Sequence, residues 1–326
     1  QNMKTKRFFI KGLIAVAFAA FVITGCKKKD KEVEPADTTA ETTKNTNNAQ
    51  DQSNVDQQSN ESIDDVNKVL NDNPNTRGEL PCNVTIDSAA LVSKGLIKLT
   101  YHGLSCDQLR TRSGVISVQL PVDSNGKLIR WSTKVAKLII TYDNYKVTRV
   151  ADNKSITFNG KVTATNVNGG GVWVLLSGTP VIHQLRGGMV ITFDDGTTRE
   201  WAVARTRSYA LSVAMVMTVE EAGDTLIAGK KVAYWGKNRA GDQFWLSIDK
   251  PVITNIFGGQ LCRFYKPYQG IVVIASTVAG TNNSLTITYG VDVNGNPITG
   301  ALDCPYGYKL NWTDAAGTAQ QLIIKY

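Results

Sequence analysis

The chain has 326 residues, 42% of them hydrophobic and 20% charged, with 28 glycines, 9 prolines and a formal charge of +8. These proportions exclude a collagen-like or proline-rich rod and leave room for one or two folded domains. The charge is unevenly spread: residues 1–25 carry +4, residues 26–78 carry −4 and residues 79–326 carry +8.

Lys4, Lys6, Arg7 and Lys11 precede an apolar run over residues 12–24. The run is shorter than the ~20 residues of a bilayer-spanning helix and fits a signal peptide over 1–25, cleaved from the mature chain. Translation is expected to begin at Met3. Ile23-Thr24-Gly25-Cys26 resembles the lipobox of bacterial lipoproteins. The resemblance implies lipidation of the Cys26 thiol, cleavage before it and acylation of the new N-terminus. Small residues suit that chemistry because two enzymes must reach the backbone around the thiol. Several acyl chains anchor stably, each buried methylene contributing roughly 0.8 kcal/mol. The competing reading is a secretory signal with a chance cysteine, or an uncleaved anchor. Lys27, Lys28 and Lys29 followed by Asp30, Glu32 and Glu34 resemble the surface-export signal of Bacteroidota lipoproteins. That implies an outer-membrane, outward-facing protein.

Residues 27–78 contain no Phe, Trp or Tyr and are rich in Asn, Asp, Gln, Thr and Lys. So little apolar surface cannot offset chain entropy, and residues 26–78 are expected to form a disordered tether. Only Ser62–Leu70 has the spacing for two helical turns, with Ile63, Val66 and Leu70 on one face, and these would be marginal alone. A flexible chain of 52 residues spans roughly 40 Å, enough to hold a domain clear of the lipid headgroups.

From residue 79 onward short runs rich in β-branched residues follow one another. They include 114–120, 137–142, 155–159, 161–165, 189–193, 212–219, 270–274, 285–289 and 321–326. Turn signals separate them at Ser124-Asn125-Gly126, Asn159-Gly160, Asp194-Asp195-Gly196, Asn294-Gly295 and Ala316-Gly317. No ten-residue helical period interrupts the pattern. The expected fold is all-β, a β-sandwich or barrel-like domain of antiparallel strands over 79–326, with room for two sub-domains.

Four cysteines lie in this region: Cys82, Cys106, Cys262 and Cys304. An even number in an exported chain suggests disulfides, in any of three connectivities. A near-repeat favours one of them. Cys82 and Cys262 each begin a strand, a second strand ends in Thr-Tyr before a glycine region, and Cys106 and Cys304 close the unit. In a hairpin the two ends meet, so Cys82–Cys106 and Cys262–Cys304 can approach the ~5.5 Å Cα separation of a disulfide. Loops of 25 and 43 residues correspond to roughly 3.5 and 4 kcal/mol of chain entropy. Separate buried thiols are the alternative. No Cys-x-x-Cys or Cys/His spacing points to zinc.

Residues 109–116, 140–147, 158–166 and 198–201, with Cys262-Arg263-Phe264, Thr286–Gly290 and Cys304, resemble a family of uncharacterised Bacteroidota outer-membrane and surface lipoproteins. The resemblance covers most of 82–326 and implies no activity. The chain departs from it at 101–106 and 291–303.

Catalytic residues are not evident. His102 and His183 are the two histidines, and neither sits near a nucleophile motif. Asp194, Asp195 and Glu200 could supply the paired acids of a glycosidase, although Asp194-Asp195-Gly196 reads first as a turn. Asp292–Pro297 has a proline where a calcium loop needs glycine and lacks the distal glutamate, so it too reads as a turn. No cofactor or metal is expected. Trp131, Trp173, Trp201, Trp235, Trp245 and Trp312 are expected mainly in the core, with sugar stacking as the alternative. Arg110 with Arg112, and Arg205 with Arg207, share a strand face by period two. That face is expected to be solvated, or to attract acidic polysaccharide or the membrane. Asp37-Thr38, Asp87-Ser88 and Asp224-Thr225 resemble Bacteroidota O-glycosylation motifs, which makes Thr38, Ser88 and Thr225 candidate acceptors, the last two only on exposed turns. The expected function is a non-catalytic surface binding or structural lipoprotein, with the membrane, a glycan or an envelope protein as partner and nucleic acid excluded. The alternative is a secreted hydrolase acting on glycans.

Overall fold

In the computed structural model, residues 38–70, 80–211, 217–257, 266–278, 281–298 and 303–326 are described. Side chains alternate between a buried and a solvated face along the strands, as the period of two requires. Leu138, Ile140 and Tyr142 point inward, for example, while their neighbours Lys137 and Ile139 are exposed. The first strands are β1 (Val84–Asp87), β2 (Leu96–Leu104), β3 (Arg110–Gln119) and β4 (Ala136–Arg149). β5 (Ser155–Asn166), β6 (Val181–Phe193) and β7 (Thr198–Leu211) follow, each antiparallel to its predecessor. β8 (Met217–Gly223) and β10 (Lys230–Lys237) lie end to end between β7 and β11 (Gln243–Phe257), and β9 (Thr225–Ile227) pairs with β10. β12 (Pro267–Val278), β13 (Thr281–Val291), β14 (Gly307–Thr313) and β15 (Ala319–Lys325) complete the sheet. All belong to one antiparallel sheet whose path follows chain order. The fold is all-β, as expected, and is one continuous sheet.

Most turn signals sit in turns: Gly126 donates to Asp123 O, Gly196 to Phe193 O, Gly295 to Asp292 O and Gly317 to Asp314 O. Asn159-Gly160 does not. It lies inside β5, opposite a bulge of β4 where the register shifts between Tyr142 and Tyr145. Asn144 takes the positive φ of that bulge, and its N–H donates to Asn159 Oδ1 at 2.9 Å. Gly160, at φ 143°, leaves room where a Cβ would stand 2.5 Å from Gly188 O. The Asn-Gly pair serves a bulge here, not a hairpin. Of the strand expected over 212–219, β8 begins at Met217, and residues 212–216 lie outside the described residues.

The largest departure is N-terminal. Thr38–Val69 forms a helix, α1, of 32 residues, where a disordered tether was expected. Ile63, Val66 and Leu70 are buried together, as their spacing suggests, but the helix extends more than five turns further back. Its sequence contains no glycine or proline, yet Asn, Thr, Ser and Asp are indifferent helix formers. Tertiary contacts therefore supply the stability.

Those contacts define the architecture. α1 side chains bond to Tyr101 on β2, Arg112 on β3, Tyr142 on β4, Arg205 on β7 and the Ala315 N–H in the β14–β15 turn. From β2 to β14 there are ten steps along the sheet, roughly 48 Å if flat, whereas a helix is only about 10–12 Å wide. The sheet must curl around α1. Ala49, Val55, Ile63, Val66 and Leu70 join the core cluster of the sheet's inner face.

Candidate functional site

The inner face of the sheet is lined by arginines. Arg112, Arg199, Arg205 and Arg207 are all buried, and each points at α1. The helix carries six carboxylates and two lysines, a net −4. Arg112 Nη1 reaches Asp65 Oδ2 at 2.7 Å and Glu61 Oε1 at 3.5 Å. Arg207 forks onto the Asp64 carboxylate at 3.1 and 3.3 Å, and Tyr209 Oη donates to the same group. Arg205 bonds Glu221 and Asn60 at 2.5 Å each, and also Tyr234. Arg199 donates to Gln52, and Arg239 to Asp51 and Asp195. Charges this deep survive only when paired and hydrogen-bonded. The face shared by Arg205 and Arg207 is therefore core, not a solvated surface or polysaccharide site. Arg112 joins them inside, while Arg110 stays near the surface beside Asp107 at 3.6 Å.

Burial marks the titrating groups. Desolvation pushes the Asp56 carboxyl up to about 6, against the pull of Arg205 and with the help of the Glu221 charge. Its Oδ1 has no hydrogen-bond partner among the described residues. Burial lowers Arg199 to about 10. Burial, then the Arg207 charge, lowers His183 to about 3. Its ring lies between Trp131 and Tyr209, so it is a neutral core residue. His102 is exposed, with Nε2 3.1 Å from the Thr85 hydroxyl.

The outer flank of α1 is different. Gln50, Ser53 and Asn54 form the floor of a groove of about 600 Å³, bounded by the β2–β3 and β4–β5 turns on one side and Ile324–Tyr326 on the other. A smaller recess of about 200 Å³, which shares Gln50, Asn54 and Lys154 with the groove, is lined also by Asp195 and Arg239. Five cations, Arg110, Arg149, Lys154, Lys266 and Lys325, line the wider part together with two carboxylates, Asp107 and Asp152, giving +3. Both carboxylates are engaged: Asp107 lies beside Arg110, and Asp152 accepts from Arg149 at 2.8 and 2.7 Å. Lys154 has no carboxylate partner among the described residues, and Lys325 Nζ lies 5.8 Å from the Tyr306 ring centre.

Asp194 and Asp195 both line the smaller recess, and Glu200 lines neither recess. Asp195 accepts from the Thr197 hydroxyl and N–H and from Arg239, which together hold its carboxyl down at about 2. A general acid needs the opposite shift. Glu200 is exposed and pairs with Lys237 at 3.5 Å. Asp292 Oδ1 accepts the N–H groups of Asn294 and Asn296, which makes its loop a turn. Among the described residues no three His, Cys, Asp or Glu side chains gather as a metal site. Trp131, Trp201 and Trp312 are buried, and Trp173, Trp235 and Trp245 are half-buried.

Cys82 and Cys106 form a disulfide with a Cα–Cα distance of 5.2 Å. Cys304 is disulfide-bonded. Cys262, its expected partner, lies outside the described residues, as does Cys26. Among the glycosylation candidates, Ser88 is on an exposed turn. Thr225 is half-buried in β9, and Asp224 before it is held by Gln184 and Arg186, so that motif is not presented on a turn. Thr38 opens α1 instead of lying in a disordered tether. The groove floor was missed for the same reason, since it belongs to a segment with no apolar stripe. Among the described residues no helix is long and apolar enough to cross a membrane. No family model, curated protein or solved structure matches the chain.

Proposed function

We propose that the protein is a non-catalytic binding module of the bacterial cell envelope, lipid-anchored through Cys26 at the outer membrane and facing outward. The supporting observation is the groove on the outer flank of α1, a recess of about 600 Å³ floored by amide and hydroxyl groups, within the size range of small-ligand sites. A floor of this kind offers paired donors and acceptors, which suits a hydroxyl-rich ligand such as a glycan. Eleven residues separate Cys26 from Thr38, so the chain joining lipid to α1 is at most about 40 Å long. The module's greatest reach from its anchor is then several-fold shorter than the extended length of a 52-residue tether.

Two measurements test this reading. On an oligosaccharide array the full chain is expected to retain ligands that the groove-filling variant Gln50→Trp does not, and the retained sugar is expected to be recovered intact by mass spectrometry. Recovery of shortened sugar would instead establish the hydrolase. Cys26→Ala is expected to abolish incorporation of labelled fatty acid and release the protein from the membrane fraction. Unchanged labelling would refute the anchor.

A further inference from the structure

Resting on the groove as the binding site, we infer that its ligand is an acidic saccharide, a short oligosaccharide bearing carboxylate or sulfate groups. Two features of the recess act together. The floor, Gln50, Ser53 and Asn54, is carboxamide and hydroxyl. Each such group both donates and accepts, as sugar hydroxyls require. The walls carry a net +3, and the two carboxylates present are already taken up by Arg110 and Arg149. Lys154 and Lys325 both line the recess and are exposed, and neither forms an ion pair within 4 Å among the described residues, so both can turn to an anion. An ammonium is a compact point charge with rotatable donors, which tolerates the varied geometry of carboxylate and sulfate on a sugar.

The shape separates this ligand from a lipid surface. The cations line a concavity about 600 Å³ in volume, so a flat array of headgroups meets the rim and leaves the amide floor unused. The tail of a lipid would find a floor of amides. A saccharide uses floor and walls at once, and the half-buried Tyr326 adds aromatic surface at one end of the recess.

The test uses the full chain and matched pairs of probes that differ only in charge: oligogalacturonate against its methyl ester, and a chondroitin sulfate oligosaccharide against its desulfated form. Binding is measured by calorimetry. The acidic member is expected to bind at least about tenfold more tightly, and the preference is expected to fall in about 0.5 M salt. The double variant Lys154→Glu/Lys325→Glu, whose folding is checked by its circular dichroism and thermal midpoint, is expected to lose the preference. Equal binding of charged and neutral members, abolished by Gln50→Trp, overturns the acidic ligand and leaves the groove standing. Acidic binding untouched by Gln50→Trp places the ligand elsewhere and overturns both readings. So does a folded protein that binds none of the probes at about 1 mM. Binding confined to phosphatidylglycerol vesicles and lost in the double variant overturns the saccharide in favour of a membrane surface.

Discussion

On its inner flank α1 presents Asn60, Asp64 and Asp65, and each meets an arginine of the sheet. On its outer flank it presents Gln50, Ser53 and Asn54, which face an open groove. Both flanks are polar, and what separates them is whether the opposite wall closes. Where the curled sheet closes over the helix, polar groups become a sealed network whose members are costly to remove singly. Where its two ends leave a gap, similar groups keep their hydrogen-bonding capacity for something else. A polar helix can thus be core and binding surface at once.

The sharpest way to break the comparison is Arg207→Ala, which strands the buried Asp64 carboxylate and part of the Glu221 pair. It is expected to cost about 3–5 kcal/mol in urea unfolding, with loss of helical signal as α1 detaches. Replacing Cys82 and Cys106 by serine is expected to cost roughly 3.5 kcal/mol, and it also frees the turn in which the Cys82 carbonyl accepts a hydrogen bond from Arg112.

Asp56 sharpens the comparison through pH. Its carboxyl sits at about 6 in the folded chain, raised from 3.8 by burial. A raised acid binds its proton more tightly when folded. Its contribution is therefore most favourable below pH 4, falls as pH rises toward 6, and stays unfavourable above. Asp56→Asn, which cannot ionise, is expected to match the parent at pH 4 and exceed it by roughly 1–3 kcal/mol at pH 8. Equal stability at both pH values would contradict the burial assigned to Asp56. The smallest effect belongs to the outer flank. Gln50→Ala and Lys154→Ala are expected to leave unfolding within about 0.5 kcal/mol of the parent while weakening ligand retention.

The sheet was legible because its signals are local. β-branched alternation and turn dipeptides such as Asp195-Gly196 depend on neighbouring residues, and so does the hairpin that brings Cys82 to Cys106. Asn159-Gly160 misled because the same dipeptide also fits a bulge. α1 was not legible because the usual sign of a buried helix is an apolar stripe. Its buried positions do keep helical spacing, at Asp51, Val55, Gln58, Ser62 and Asp65, but most are polar. Their partners Arg112, Arg205 and Arg207 are scattered along distant strands. Arginines spaced by two showed which residues share a face, but could not show that the face is closed by a helix more than a hundred residues away.

The order in which the parts are made bears on how the protein assembles. α1 precedes the whole sheet, yet Asp51 binds an arginine 188 residues later and Glu41 bonds a backbone 274 residues later. A polar helix has little to hold it before those partners exist, and contacts so far apart in the chain form slowly. The N-terminal turns of α1 are made before the sheet and are expected to settle only after its last strands. Until β14 and β15 are complete, the N-terminal turn of α1 lacks the backbone contact that Glu41 makes in the turn between them.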